Sequence, residues 1–156
     1  GLILYGIFPS NHVLRNIELK QAMSFKTRII NLKQLDPGSV IGYGGTFEIL
    51  QHTTVATIPV GYKDGFSRCF SGLGEVLVHG KRFPIIGRVC MDRCFIDVTN
   101  LPDVEIGSEV ILLGSQGSET IPIESAAKLI GTIPYEIVCN VGTITPGKMY
   151  KPAKEN

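Results

Sequence analysis

Tryptophan is absent from these 156 residues, and histidine occurs only three times. No apolar run reaches the roughly 18 residues of a membrane-spanning helix. An excess of either charge is missing too: 15 Lys and Arg against 14 Asp and Glu leave a formal net charge of +1. That balance offers no electrostatic footprint for nucleic acid or an anionic membrane. Four cysteines, Cys69, Cys90, Cys94 and Cys139, include no C-x-x-C pair and are too few for a disulfide framework. With His79 upstream, Cys90 and Cys94 match zinc-ligand spacing poorly, so no metal site is expected. Four reduced, mostly buried thiols in a cytoplasmic protein are expected instead. The opening GLILYG stretch, Gly1 to Gly6, lacks the basic flank and cleavage site of a signal peptide.

What is present is an apolar fraction of 44% with 19% charged residues, which excludes disorder for the chain as a whole. Eighteen glycines and nine prolines punctuate it, against a glycine average of about 7%. Short apolar runs between such breaks point to a β-rich domain with many turns.

From Met23 to Asn31 apolar and polar residues alternate, the signature of a half-buried strand. Asp36-Pro37-Gly38 makes a turn, and Val40 to Gly45 a glycine-rich corner. Val55 to Gly61 reads as a strand buried on both faces, with Pro59 marking an edge, a bulge or its end. Gly74–Gly80 and Lys81–Gly87 form a hairpin turning at His79-Gly80. Strands are expected over Val89–Val98 and Ser108–Gly114, with turns at Asp103–Gly107 and Gln116-Gly117 and a return to Thr120-Ile121. Ile123, Ala126, Ala127 and Ile130 take helical spacing with Gly131 as the stop. A second short helix follows from Pro134, with Thr132 able to cap it. About eight strands and two short helices favour a closed barrel or a sandwich. Gly1 to Tyr5 reads as a buried strand cut from a larger protein, and Phe8 to His12 as a linker.

Three segments carry more. They are Gly42-Tyr43-Gly44-Gly45-Thr46-Phe47, then Ile58 to Phe66 (IPVGYKDGF), then Pro84 to Asp92 (PIIGRVCMD). In order and spacing they resemble the C-terminal domain of the pyridoxal-phosphate-dependent alanine racemases. The opening GLILYG stretch resembles the last strand of that family's barrel. The likeness runs from Gly1 to about Val141.

The resemblance implies a mainly β fold: a closed, Greek-key-like, six-stranded β-barrel with added strands and two short helices. Residues 1–10 would be the remnant of an N-terminal (β/α)8 barrel and its linker, and residues 11–156 the C-terminal β-domain. It implies pyridoxal 5′-phosphate, held by a lysine on the barrel domain, and a head-to-tail homodimer whose active sites each borrow residues from the partner. The substrate implied is alanine, and the product D-alanine for bacterial cell wall. Racemisation removes a proton from one face of a carbon and returns one to the other, which two acid/base groups on opposite faces accomplish. By its place in the motif Tyr43 would be the second of these, although a tyrosine among glycines also suits a simple corner.

Met91 matches the position whose backbone N–H holds the substrate carboxylate; as a side chain it equally suits a core gap-filler. Asp92 lines the same pocket by likeness, and a turn carboxylate by itself. Tyr62 matches a tyrosine near the cofactor phosphate and the substrate entrance. Arg68 and Arg88 match arginines of the entrance corridor, with surface ion pairing as their plain alternative. Gly1 and Leu2 match backbone that meets the cofactor phosphate. Asp64-Gly65 suits a turn.

The tail departs from the family. Thr143 stands where a tyrosine that touches the cofactor phosphate is expected, and Ile144 and Gly147 replace arginines. A threonine hydroxyl still donates a hydrogen bond but is much smaller. Serine specificity and a non-catalytic dimerisation barrel stay open beside alanine racemisation. The 156 residues alone, without a barrel domain, are expected to be inactive.

Overall fold

A computed structural model of the chain describes residues 1–8 and 16–144, with side chains to Val141. Ten strands, β1 (Phe25–Arg28), β2 (Asn31–Leu35), β3 (Val40–Ile41), β4 (Phe47–Glu48), β5 (Thr53–Ile58), β6 (Glu75–Val78), β7 (Lys81–Ile86), β8 (Cys94–Asp97), β9 (Glu109–Gln116) and β10 (Glu119–Ile121), precede two helices, α1 (Ile123–Leu129) and α2 (Pro134–Ile144). The main sheet is antiparallel, in the order β1-β9-β6-β7-β8-β5-β2, with β10 paired to β9; β3 and β4 form a separate ribbon. The fold is therefore mainly β, as the turn-rich sequence implies.

The closed six-stranded barrel expected by resemblance is not what the ladder records. The main sheet has eight strands, and its end strands β1 and β2 do not pair with each other. They are nonetheless consecutive in the chain. Ile29 exchanges hydrogen bonds with the Gly107–Ser108 side, and the Ile30 N–H donates to Thr57 O at 2.9 Å. The single strand expected over Met23–Asn31 thus changes partner at Ile29–Ile30. This switch curls the sheet until its two ends lie within one stretch of chain.

The β6–β7 hairpin forms as expected. Val78 faces Lys81 across a two-residue turn, and His79 and Gly80 both take positive φ (49° and 72°). Such a turn matches the right-handed twist of its strands. Pro84 lies within β7, exposed, and the pairs to β8 begin only at Ile85. A residue with no N–H is tolerated at such a place. β5 ends at Ile58, just before Pro59.

The core is one large cluster, including Val76, Leu77, Ile96, Val110–Leu113 and the inner face of α1 (Ile123, Ala126, Ala127). A smaller cluster of Ile41, Ile49, Val55 and Ile86 fastens the β3–β4 ribbon to the sheet. Phe66 stacks on Phe70 at 4.5 Å and meets Phe25 edge-on at 6.4 Å, anchoring the loops that follow β5. No helix among the described residues is long and apolar enough to cross a membrane.

Two further expectations are corrected. Leu2–Tyr5 is a 3-10 turn, not a buried strand: Leu4 N–H donates to Gly1 O, and Gly6 N–H to Ile3 O. Only Leu2 of that turn is buried, while Leu4 is 85% exposed. With no strand beside it among the described residues, the segment satisfies its amides locally. The strand expected over Val89–Val98 is confined to Cys94–Asp97, because the chain turns back at Cys90–Arg93, where Cys90 N–H donates to Arg93 O at 2.9 Å. Of the thiols expected to be mostly buried, Cys90 and Cys94 are buried and Cys69 and Cys139 exposed.

Candidate active site

The three motif segments meet at one exposed face. The first is the loop between β3 and β4, closed by Gly45 N–H donating to Gly42 O at 3.2 Å, with Tyr43 at its tip and 74% exposed. It rests on the third segment. A Cβ on Gly42 would stand 3.3 Å from Arg88 N, and one on Gly44 3.4 Å from Arg88 Nη1. Arg88 itself is half-buried.

The second segment leaves β5 at Ile58 and forms a 3-10 turn over Tyr62–Asp64. Asp64 is its turn carboxylate, accepting from Gly61 N–H at 3.0 Å. The turn is bolted to the third segment by two backbone bonds: Tyr62 N–H donates to Cys90 O and Lys63 N–H to Met91 O, each at 3.0 Å. Beneath them the Cys94 thiol donates to Val60 O at 2.9 Å, and burial pushes that thiol well up. A proton is thereby kept on the sulfur.

Met91 is 53% exposed, so its side chain is not a core gap-filler. Its carbonyl is taken by Lys63, and its N–H has no partner among the described residues. A backbone donor with no partner among the described residues can receive a carboxylate whatever its side chain.

Asp92 does not stand alone. Arg93 Nε lies 3.1 Å from Asp92 Oδ1, and Arg93 Nη2 3.5 Å from Oδ2. That hydrogen bonding by Arg93 holds the Asp92 carboxyl below the usual carboxylate range, with a smaller contribution from the charge of Lys63. Asp92 in turn raises Arg93, through their hydrogen bond first and their opposite charges second. Lys63 and Arg93 were not singled out in the sequence. Lys63 lies within the Ile58–Phe66 segment and Arg93 directly follows Asp92; opposite charges in neighbouring positions are the available signal.

Arg68 is exposed on a 3-10 turn (Arg68–Phe70) that is tied to the site through Ser71, whose hydroxyl donates to Arg68 O and accepts from Val89 N–H at 2.9 Å. Tyr62 is 47% exposed. Gly1 and Leu2 lie elsewhere: Gly1 faces Tyr135 Oη on α2, and Leu2 is in the core. Gly65 backs onto Asn140 of α2, where a Cβ would stand 2.6 Å from the Asn140 carbonyl. Thr143 is three residues further along this helix; its side chain, like Ile144's, lies outside the described ones, and Gly147 lies outside the described residues altogether.

The face is open. A cavity of about 200 Å3 lies between Phe66, Cys69 and α2, and another of about 360 Å3 beside Lys81 and Asp97; neither is lined by Tyr43, Tyr62 or Met91. An exposed phenol, an N–H unpartnered among the described residues and paired charges on an open surface fit one wall of a pocket. They do not enclose a cofactor by themselves.

The family described as "Alanine racemase, C-terminal domain" matches residues 22–149. The chain is 47% identical over 146 residues to an alanine racemase of Halothermothrix orenii, covering 94% of this chain and 38% of the relative. It is 42% identical over 156 residues to one from Clostridium perfringens, covering 99% of this chain and 40% of that protein. Among solved structures, alanine racemase from E. faecalis superposes with a TM-score of 0.86 at 37% identity, covering 94% of this chain and 39% of that one. The Bacillus anthracis alanine racemase with bound L-Ala-P gives 0.84 at 38% identity, covering 90% and 36%. The chain therefore spans about two-fifths of the length of the proteins it matches.

Proposed function

This chain belongs to the alanine racemase C-terminal domain family, and from that premise we propose that it forms one wall of a composite racemase active site. Tyr43 is the proton-transferring group of that wall, and the Met91 N–H receives the substrate carboxylate. The observation that carries this reading is the Met91 N–H, without a partner among the described residues, on the same face as the Tyr43 loop, which rests on the same Arg88–Arg93 segment.

The chemistry needs an acid/base group on each side of the α-carbon. Pyridoxal phosphate, bound through a lysine of the barrel domain of the full-length protein, supplies an electron sink for the charge left when the proton departs. This chain's part is narrower. The N–H of Met91 fixes the carboxylate and so the orientation of the α-carbon. The Tyr43 hydroxyl holds or releases a proton on one face. Arg68 and Arg88 line the approach, Asp92 lines the same pocket and is held in place by Arg93, and Tyr62 stands near the cofactor phosphate and the substrate entrance. Gly1, Leu2 and Thr143 are assigned to the cofactor phosphate of the chain's own subunit.

Tyr43 and Met91 stand on an open surface, and the arrangement proposed to complete the pocket is a head-to-tail homodimer, in which the partner subunit covers it. The substrate is alanine, the product D-alanine for bacterial cell wall, and the compartment the cytoplasm. The 156 residues alone, without the barrel domain, racemise nothing.

The test uses the full-length protein carrying this chain, supplied with pyridoxal phosphate. Loss of optical rotation is followed for L-alanine and L-serine, wild type beside Tyr43→Phe. The expected result is racemisation of alanine in preference to serine, falling about 10²–10⁴-fold without the phenol. Full activity of Tyr43→Phe in both directions would overturn the assignment.

A further inference from the structure

We propose that Arg88 is a positioning residue for Tyr43, holding the Gly42–Thr46 loop from both sides of the phenol, in addition to any attraction its charge exerts on a substrate. The inference rests on the reading of Tyr43 as the proton-transferring group.

The loop cannot place Tyr43 by its own means. Its ribbon has two residues in each strand, and the cluster that fastens the ribbon to the sheet, Ile41, Ile49, Val55 and Ile86, includes no residue of the Gly42–Thr46 loop. Inside the loop one backbone bond is made, Gly45 N–H to Gly42 O. The phenol is 74% exposed, so its own packing does not lock it.

Support comes from the Gly87–Arg88 segment. Gly87 lies against Ile41, the last residue of β3, with 3.4 Å from its Cβ position to Ile41 O and Cγ2. Arg88 then brackets the tyrosine. Its backbone nitrogen lies beneath the residue before Tyr43, and its guanidinium lies against the residue after it, at 3.3 Å and 3.4 Å from the two glycine Cβ positions. Both glycines have positive φ, 79° and 78°. The backbone on either side of Tyr43 is thus shaped to admit Arg88 at close range.

The Arg88 side chain has no ion pair and its guanidinium no hydrogen bond among the described residues. The hold proposed for it is packing of a flat, rigid group beside the Gly44 peptide, where a Cβ would stand 3.4 Å from Arg88 Nη1; a lysine does not reproduce that, being a compact charge on a flexible stem. That difference separates positioning from electrostatic steering. A steering role survives Arg88→Lys; a positioning role does not.

The experiment takes the full-length protein carrying this chain as wild type, Arg88→Lys, Tyr43→Phe and the double variant. Racemisation kinetics are measured, together with amide hydrogen exchange at Gly45. The proposal expects Arg88→Lys to lower kcat roughly tenfold or more with KM near the wild-type value, since small misplacement of a reacting group is costly. In the Tyr43→Phe background the same change has little further effect, because the two act as a unit. Exchange at Gly45 accelerates, while exchange at Ile96 in β8 stays slow and shows the fold intact.

Wild-type kcat in Arg88→Lys, an undiminished effect of it in the double variant, or unchanged exchange at Gly45 would each overturn the proposal. If Tyr43→Phe itself has no effect, the underlying reading of Tyr43 fails. Exchange at Gly45 then still reports separately whether Arg88 holds the loop.

Discussion

Gly61 lies so close to Cys90 that a Cβ on it would stand 2.2 Å from the Cys90 carbonyl oxygen; the Met91 carbonyl oxygen would be 2.4 Å away. The neighbouring atoms are backbone, which cannot swing aside as a side chain can. This close approach lets Tyr62 and Lys63 bond to the same two carbonyls and so fixes where the Met91 N–H points. Gly61→Ala is therefore expected to push the two segments apart. The cost is that of overpacking, about 1–3 kcal/mol, read by chemical denaturation. Amide exchange at Tyr62 and Lys63 should rise as their bonds lengthen. Wild-type stability and exchange in this variant would show that the contact is softer than its geometry states.

The Asp92–Arg93 pair makes a pH prediction. Arg93 lowers the carboxyl of Asp92 in the folded chain. The pair is therefore intact above the ordinary carboxylate value of about 3.9 and is lost as pH falls through the lower folded value. Carboxyl-carbon NMR should give Asp92 a midpoint below that ordinary value, and Arg93→Gln should return it upward. Both side chains are solvent-facing, so global stability should hardly change. An Asp92 midpoint indifferent to Arg93→Gln contradicts the pairing.

Cys94 predicts the opposite direction. Burial raises its thiol, so the native chain keeps the proton after an unfolded thiol, titrating near about 8.5, has lost it. The unfolded state then binds fewer protons than the native one, and stability falls as pH rises above that value. The contribution is complete below it. Unfolding free energy measured from neutral to alkaline pH should show this decline, by at most about 1.4 kcal/mol per pH unit. Cys94→Ala should flatten it, and identical slopes in the two proteins would refute the account. The exposed Cys69 should meanwhile react with a thiol reagent in the native protein while Cys94 does not.

Local rules made some of this molecule legible from its residues. His79-Gly80 announced a turn needing two positive φ values, and the hairpin has them. Ile123, Ala126 and Ala127 at helical spacing are the buried face of α1. Pro59 marked the end of β5. What stayed hidden depends on partners distant in the chain. Ile29 and Ile30 look like two more residues of one strand, yet each pairs with a different neighbour, and that switch curls the sheet. Val89 and Cys90 suit a strand, but the turn at Cys90–Arg93 diverts them into the site. The motif segments pointed to Tyr43 and Met91, whereas the side chain that steadies Asp92 became visible only in the fold. Leu2–Tyr5 has the composition of a strand, and composition cannot supply the missing neighbour.

The central claim is that Tyr43 works in the active site of a partner subunit, and mixed dimers test it most directly. One full-length protein carries Tyr43→Phe; in the other, the lysine proposed to hold the cofactor is replaced. Tyr43 is exposed, so its variant should unfold within about 0.5 kcal/mol of the wild type, and lost activity can be read as lost chemistry. Each variant alone should be nearly inactive. Refolded together in equal amounts, half of the dimers are hybrids, and each hybrid holds one intact site, so activity should return to roughly a quarter of the wild-type value. If no activity returns although hybrid dimers form, Tyr43 does not act across the subunit boundary, and the account is contradicted.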